Sequence, residues 1–386
     1  MVKFFKRLII GLVVFYALLY LTGNWFIVTA FMNTYMIGNT TANINDKDAF
    51  ESRTIDNGVA QPWNISSLYG TKKIPEKHVR DFEEMNSAAY LLIKDDSIIH
   101  EEYWDNYSAT SQTNSFSMAK SVVAALIGTA IQDGKIKNVN QPVGDFIPSY
   151  KEGDKSKITI EHVLTMSSGL SFEENYHNPF AYSAEAYYGD EVTELTLSHD
   201  VVEEPGRKFN YLSGNTQLLG MIVAKAYGIT LSEATSEKLW KPLGASQPAY
   251  WSLDHKDGVE KAFCCIHSNA RDYARMGKLY LDSGKANGVQ LIPKEYIKAS
   301  ITPANVEFET DELTRYGYQW WLMPNYKGYD IFMMKGHMGQ HVICIPEERI
   351  IIVRLGDKKE HVGPNKSHSI ETKRYIDVAL EMLGLE

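Results

Sequence analysis

Two side chains in this sequence stand at a spacing that makes chemistry possible: Ser117 and Lys120, in Ser117-Met118-Ala119-Lys120. Side chains three apart on a helix share a face, with Cβ atoms about 5–6 Å apart. A serine hydroxyl is a weak nucleophile until a base takes its proton. A lysine becomes that base when burial disfavours its ammonium form. The run after Lys120, Val122-Val123-Ala124-Ala125-Leu126-Ile127, is apolar all round and predicts a buried helix. Ser117 then lies at the helix start, where backbone N–H groups favour a developing anion.

Two later stretches supply what such a pair needs. In Pro205-Gly206-Arg207-Lys208-Phe209-Asn210-Tyr211-Leu212-Ser213-Gly214-Asn215, Tyr211 sits on a turn ahead of a helix, placed to relay a proton. Ser213, at the same turn, is a candidate hydrogen-bond donor. In Lys335-Gly336-His337-Met338-Gly339-Gln340-His341, glycines between two strands allow a ligand close to the backbone. The backbone N–H groups of Ser117 and Gln340 are the expected oxyanion hole. His337, Met338 and Gly339 are the expected substrate-binding residues beside Ser213. No metal site is expected: Cys264, Cys265 and Cys344 lack ligand spacing and read as small buried residues. No cofactor is expected either.

Elements must hold these pieces together. Lys3, Lys6 and Arg7 precede an apolar segment from Leu8 to about Phe31, long enough to cross a bilayer. The positive flank keeps the N-terminus cytoplasmic and puts the rest outside the cytoplasmic membrane, on the periplasmic side. A signal peptide cleaved before secretion is the alternative. Residues 1–35 are thus read as anchor or signal, 36–75 as stalk and irregular lead-in, and 76–386 as the functional domain. Ala89–Ile93 and Ile98–Trp104 flank a short polar turn and predict a hairpin. From about 134 to 305 the pattern is mostly helical, with Asn269–Ser283 the clearest helix. Ser171–Asp200, rich in Tyr, Glu and Asn and without periodicity, is expected to shape the pocket. Short strands return after Tyr316 as a meander, and an amphipathic helix closes the chain from about Ser369 to Leu383. The expected fold is α/β (α+β). An antiparallel sheet joins early hairpin to late meander, helices flank it, an all-helical lobe is inserted, and one transmembrane helix precedes it.

The 386-residue chain is 44% apolar, with a net charge of -9. That charge excludes the basic footprint of a nucleic-acid binder. The three stretches, in this order, resemble the serine β-lactamase and penicillin-binding-protein superfamily. They are closest to the class C-type branch with its esterases, D-aminopeptidases and 6-aminohexanoate-dimer hydrolase. Ser117-Met118-Ala119-Lys120 matches the first motif; Tyr211-Leu212-Ser213 stands in the place of Tyr-x-Asn, and His337-Met338-Gly339 in that of Lys-Thr-Gly. Ile158–Leu170 and Ala270–Gly277 look similar as well. The resemblance implies a β-lactamase-like fold and a serine hydrolase with Ser117, Lys120 and Tyr211 as its catalytic residues. It departs from the pattern at Ser213, in place of Asn, and at His337, in place of Lys. A largely neutral histidine is a weaker site for a substrate carboxylate, which favours ester, linear amide or D-amino-acid peptide substrates over β-lactams. Rival expectations are a penicillin-binding-like sensor or scaffold and a D,D-peptidase acting on cell-wall peptides.

Overall fold

The computed structural model describes residues 2–176, 178–309, 313–358 and 370–386. Its centre is an eight-stranded sheet whose strands are numbered here in chain order. They are β1 (Asn64–Ile65), β2 (Ser87–Lys94), β3 (Ser97–Tyr103), β4 (Arg315–Tyr316), β5 (Trp321–Tyr326), β6 (Tyr329–Gly336), β7 (Gln340–Ile345) and β8 (Ile350–Gly356). The spatial order is β4-β5-β6-β7-β8-β2-β3-β1. The expected hairpin, β2 and β3, therefore meets the expected meander through the antiparallel pairing of β8 with β2. The sheet is mixed rather than wholly antiparallel, because β1 runs parallel to β3 at the edge.

Both faces of this sheet are covered, so its strands read as continuous apolar runs rather than as alternating ones. Period-two geometry divides them. Leu91, Ile93, Ile351 and Val353 face the cluster that holds the Ser117 helix. Tyr90, Leu92, Ile350 and Ile352 face Phe82 and the last helix, Ile370–Leu383. The expected start of that helix at Ser369 lies outside the described residues. Helix Ala270–Leu281 presses so closely on the sheet that a Cβ at Gly277 would come within 2.8 Å of the Cys344 sulfur.

Two expectations need correction. The inserted lobe is not all helical. Ala249–Ser252 and Ile266–Ser268 form a four-stranded sheet with Ser52–Ile55 and Thr113–Asn114, in the order 52–55, 249–252, 266–268, 113–114. Residues 36–75 are not a free stalk either. Ile44 and Ile55 are buried in the main core, and Ser52–Ile55 pairs in register with Ala249–Ser252. The segment has little periodicity because it contributes single anchors and short strands to structure made by distant residues.

At the N-terminus, Val2–Leu21 is one helix with mean hydropathy 2.0 and no buried residue, long and apolar enough to cross a membrane. The apolar stretch is interrupted where the sequence places Gly23-Asn24. It breaks at Thr22–Asn24, and a second helix, Phe26–Asn33, packs against helix Tyr182–Tyr188.

Candidate active site

Thr113–Asn114 leads straight into a tight turn, Phe116–Met118, which runs into helix Ala119–Gln132. Phe116 is held at φ 43°, a left-handed conformation that costs a bulky residue energy. The cost is offset locally: the Asn114 side chain accepts from the Phe116 N–H at 2.8 Å. Asn114 donates in turn to Asp46 at 2.8 Å, and Tyr187 donates to the other oxygen of Asp46 at 2.5 Å. Burial pushes the Asp46 carboxyl up to about 6, against the hydrogen bonds from Tyr187 and Asn114. The lead-in segment thus braces the turn that carries Ser117.

Lys120 is buried, as its apolar helix predicts, and burial lowers its amine to about 8 while the charge on Glu174 raises it. Its Nζ lies 3.0 Å from Ser117 Oγ, 3.1 Å from Ser213 Oγ and 2.9 Å from the Phe263 carbonyl. The direction of these bonds can be assigned. A carbonyl only accepts, so Phe263 takes one N–H. Ser213 Oγ donates to Glu174 Oε1 at 2.8 Å, so toward Lys120 it must accept. As the ammonium, Lys120 donates to all three, Ser117 Oγ included; once it loses a proton, Phe263 and Ser213 keep its two N–H groups and the lone pair is left for the Ser117 hydroxyl.

Glu174 lies in the unpatterned stretch after Ser171 and carries no motif signal; the sequence does not single it out. Its other oxygen accepts from the Ser213 N–H at 2.7 Å, capping helix Ser213–Tyr227, and Tyr176 donates to Oε1 at 2.5 Å. The Tyr176 ring stacks on His337 with centroids 5.9 Å apart. Residues 174–176 therefore bridge the cleft from Ser213 to His337.

Tyr211 is brought to the site. Its hydroxyl bonds to the Ser117 side chain, and its ring rests on Trp321, 5.2 Å between centroids. Burial holds its phenol well above the ordinary value, against the Ser117 hydrogen bond, so it is neutral and a donor at neutral pH.

The third stretch is split. His337 lines the cleft, edge-on to Phe116 at 5.4 Å and 3.4 Å from Thr41 Oγ1. Met338 and Gly339 do not line it. Their carbonyls accept from the buried Arg354 guanidinium, each at 3.0 Å. Gln340 does not enter the cleft, contrary to expectation. Met338 and Gly339 are left-handed, at φ 61° and 80°, and this tight turn sends Gln340 back into the sheet opposite Gly336. Its side-chain amide donates to the carbonyls of His337 and Gly356. It is Gly336 that comes nearest to the nucleophile segment: a Cβ there would lie 2.3 Å from the Ser115 carbonyl oxygen.

The cleft is lined by Thr41, Ala42, Phe116, Ser117, Tyr187 and Phe263 among others. Cys264 lines it too, and is joined to Cys265 in a disulfide between neighbours, which the odd cysteine count does not reveal. Among the described residues no group of histidines, cysteines and carboxylates is arranged to hold a metal.

The Beta-lactamase family model matches residues 76–371. The chain belongs to that family. It is a serine hydrolase of the β-lactamase and penicillin-binding-protein superfamily. It is 26% identical over 327 residues to the 6-aminohexanoate-dimer hydrolase of Paenarthrobacter ureafaciens, covering 79% of this chain and 82% of that one. A solved structure from Bacillus anthracis, provisionally named as a 6-aminohexanoate-dimer hydrolase, superposes with a TM-score of 0.73 at 22% identity. It covers 94% of this chain and 97% of the other. A D-stereospecific amidohydrolase from a Streptomyces species shares the fold at a TM-score of 0.58 and 16% identity, over 76% and 93% of the two chains. The family model begins at residue 76, yet the β-lactamase-family fold here draws Ile44, Asp46 and Ser52–Ile55 into its body as well.

Proposed function

We propose that this protein hydrolyses an ester or amide through an acyl-enzyme on Ser117, outside the cytoplasmic membrane to which its N-terminal helix anchors it. The observation that carries the reading is the set of partners around the buried Lys120: its Nζ bonds Ser117 Oγ, and the Phe263 carbonyl and the Ser213 hydroxyl are acceptors that hold its two remaining N–H groups once the amine is neutral.

Lys120 takes the Ser117 proton as Oγ attacks the carbonyl carbon and the carbonyl π electrons move onto oxygen. The N–H groups of Ser117 and His337, the residues of the first and third motifs that line the cleft, are the donors for that oxygen. Tyr211, a neutral phenol against Ser117 Oγ, passes a proton to the departing alcohol or amine and recovers one from Lys120. Water then attacks the acyl-enzyme with the same groups working in reverse. Ser213 acts by holding Lys120, and His337 by walling the cleft. Glu174 puts a carboxylate where the family motif has no counterpart, and this disfavours anionic substrates. Esters, linear amides and D-amino-acid peptides fit better than β-lactams.

Intact-mass spectrometry after mixing with a penicillin or an activated ester tests the reading. The expected result is turnover of the ester, with any transient adduct on Ser117. A stable Ser117 adduct without turnover would instead indicate a penicillin-binding-like sensor.

A further inference from the structure

The N-terminal segment holds more apolar surface than a bilayer crossing needs. Val2–Leu21 has 20 residues, about 30 Å of helix, which alone spans the hydrocarbon core. Yet no charged residue occurs between Arg7 and Asp46. The chain bends at Thr22–Asn24 and continues as helix Phe26–Asn33 and the short turn Tyr35–Ile37. At the bend, the Tyr16 and Tyr20 ring centroids lie 6.2 and 6.3 Å from that of Trp25. Aromatic residues where a membrane helix ends mark the headgroup level of a bilayer.

Helix Phe26–Asn33 has two faces. Phe26, Thr29, Ala30 and Asn33 recur at helical spacing and are buried or half-buried against the body. The helix packs on Tyr182–Tyr188, and its Phe26 and Thr29 line a cavity with Glu51, Glu185 and Asp190. Those carboxylates therefore stand on the body side. Phe31 and Met32 occupy the opposite face, and the Phe31 ring stacks on Tyr35 at 5.8 Å between centroids. With Met36 and Ile37 they form an apolar strip, its residues from 48% to 62% exposed. A surface made for water breaks such a strip with charges; this one carries none. A few residues further on, Thr41 and Ala42 line the cleft beside Ser117.

We infer that the strip Phe31–Ile37 is a seat on the bilayer surface, a second membrane contact that lies in the interface instead of crossing it. Its occupant is lipid, because the strip continues the span Val2–Leu21 through an aromatic bend and carries no charge. An apolar face of this kind sinks about 5–10 Å into the headgroup and acyl boundary. The span alone leaves the domain free to swing about Thr22–Asn24; the seat fixes its orientation. From Ile37 to Thr41 is four residue steps, at most about 14 Å of extended chain. The Thr41 side of the cleft is thereby held close to the headgroups. This rests on the anchored N-terminus and is independent of the chemistry at Ser117.

The test uses the full chain in phosphatidylcholine vesicles, with Met36→Cys carrying a nitrobenzoxadiazole label. The control is the same label on Val289→Cys, exposed on the hairpin 285–290 near the Gly128 end of the Ser117 helix. Cys344 is buried, and any label that the unsubstituted chain takes up is subtracted. Lipid spin-labelled near the head of its acyl chain should quench the label at 36 by about half and leave the label at 289 unchanged. Adding Phe31→Glu and Met32→Glu should abolish the quenching, since charges on the strip oppose its entry into lipid; circular dichroism reports that this variant has folded. An unquenched label at 36, in chains that float with the vesicles, overturns the inference. If its emission is nonetheless shifted to the blue, protein rather than lipid covers the strip, and a second copy is the occupant. Equal quenching at 36 and 289, or quenching that survives both glutamates, overturns it as well. Chains that do not float with the vesicles overturn the anchored reading and this inference with it, and leave the hydrolase reading intact.

Discussion

At the scale of single residues, the chemistry depends on which protons face Ser117. Lys120 acts as a neutral amine, and the neutral fraction rises as pH passes upward through about 8. The rate kcat/KM is therefore expected to climb with pH and level off above that value, as a stopped-flow pH series would read. Glu174 favours the charged amine, so Glu174→Gln should move the rising limb to lower pH. It should also lower the plateau, because the freed Ser213 hydroxyl can turn toward Lys120. A limb that stays in place would show that Glu174 does not act through Lys120. Tyr211→Phe keeps the ring on Trp321 and removes only the donor; kcat should fall about 10²–10⁴-fold with the melting temperature nearly unchanged. Ser117, Lys120 and Tyr211 are legible in sequence because spacing and order announce them. Glu174 is not, since it lies in a stretch without period and acts through a fold-made contact. Gln340 is a different case: a register argument along the strand cannot foresee the two left-handed residues before it.

At the scale of elements, two braces set the site. One is Arg354, buried on β8, whose guanidinium donates to the carbonyls of Met85, Met338 and Gly339 and fixes the third-motif turn. Arg354→Ala leaves those carbonyls buried and unpaired, and should cost about 3–5 kcal/mol of stability, measured by urea unfolding. The other brace is Asp46–Asn114–Phe116, which holds the nucleophile turn. Asn114→Ala should lower activity more than stability, because what it releases is the strained φ of Phe116 rather than a core contact. A loss of stability with kcat unchanged would argue against that role. The hairpin, the meander and the helix at 270–281 were all readable from apolar patterning. The small sheet was not: Thr113–Asn114 and Ile266–Ser268 are too short to show a period, and their partners are far apart in the chain.

At the scale of the whole molecule, the domain begins earlier than its most recognisable part. Ile44, Asp46 and Ile55 are structural, whereas Val2–Leu21 touches the core with no buried side chain. Removing residues 1–21 should leave a folded domain that still cleaves soluble esters. Removing residues 1–75 should leave an unfolded or aggregating chain, because it exposes the edge strand Ala249–Ser252 and strips the brace from the nucleophile turn. Circular dichroism and size-exclusion chromatography of the two truncations distinguish these outcomes. The central claim, that Ser117 is the nucleophile of an ester or amide hydrolase, is tested most directly by one comparison. The full chain and its Ser117→Ala variant are assayed for 4-nitrophenyl ester turnover under the same conditions. The account predicts a loss of at least about a thousandfold with the fold retained; turnover in the variant equal to that of the wild type would contradict it.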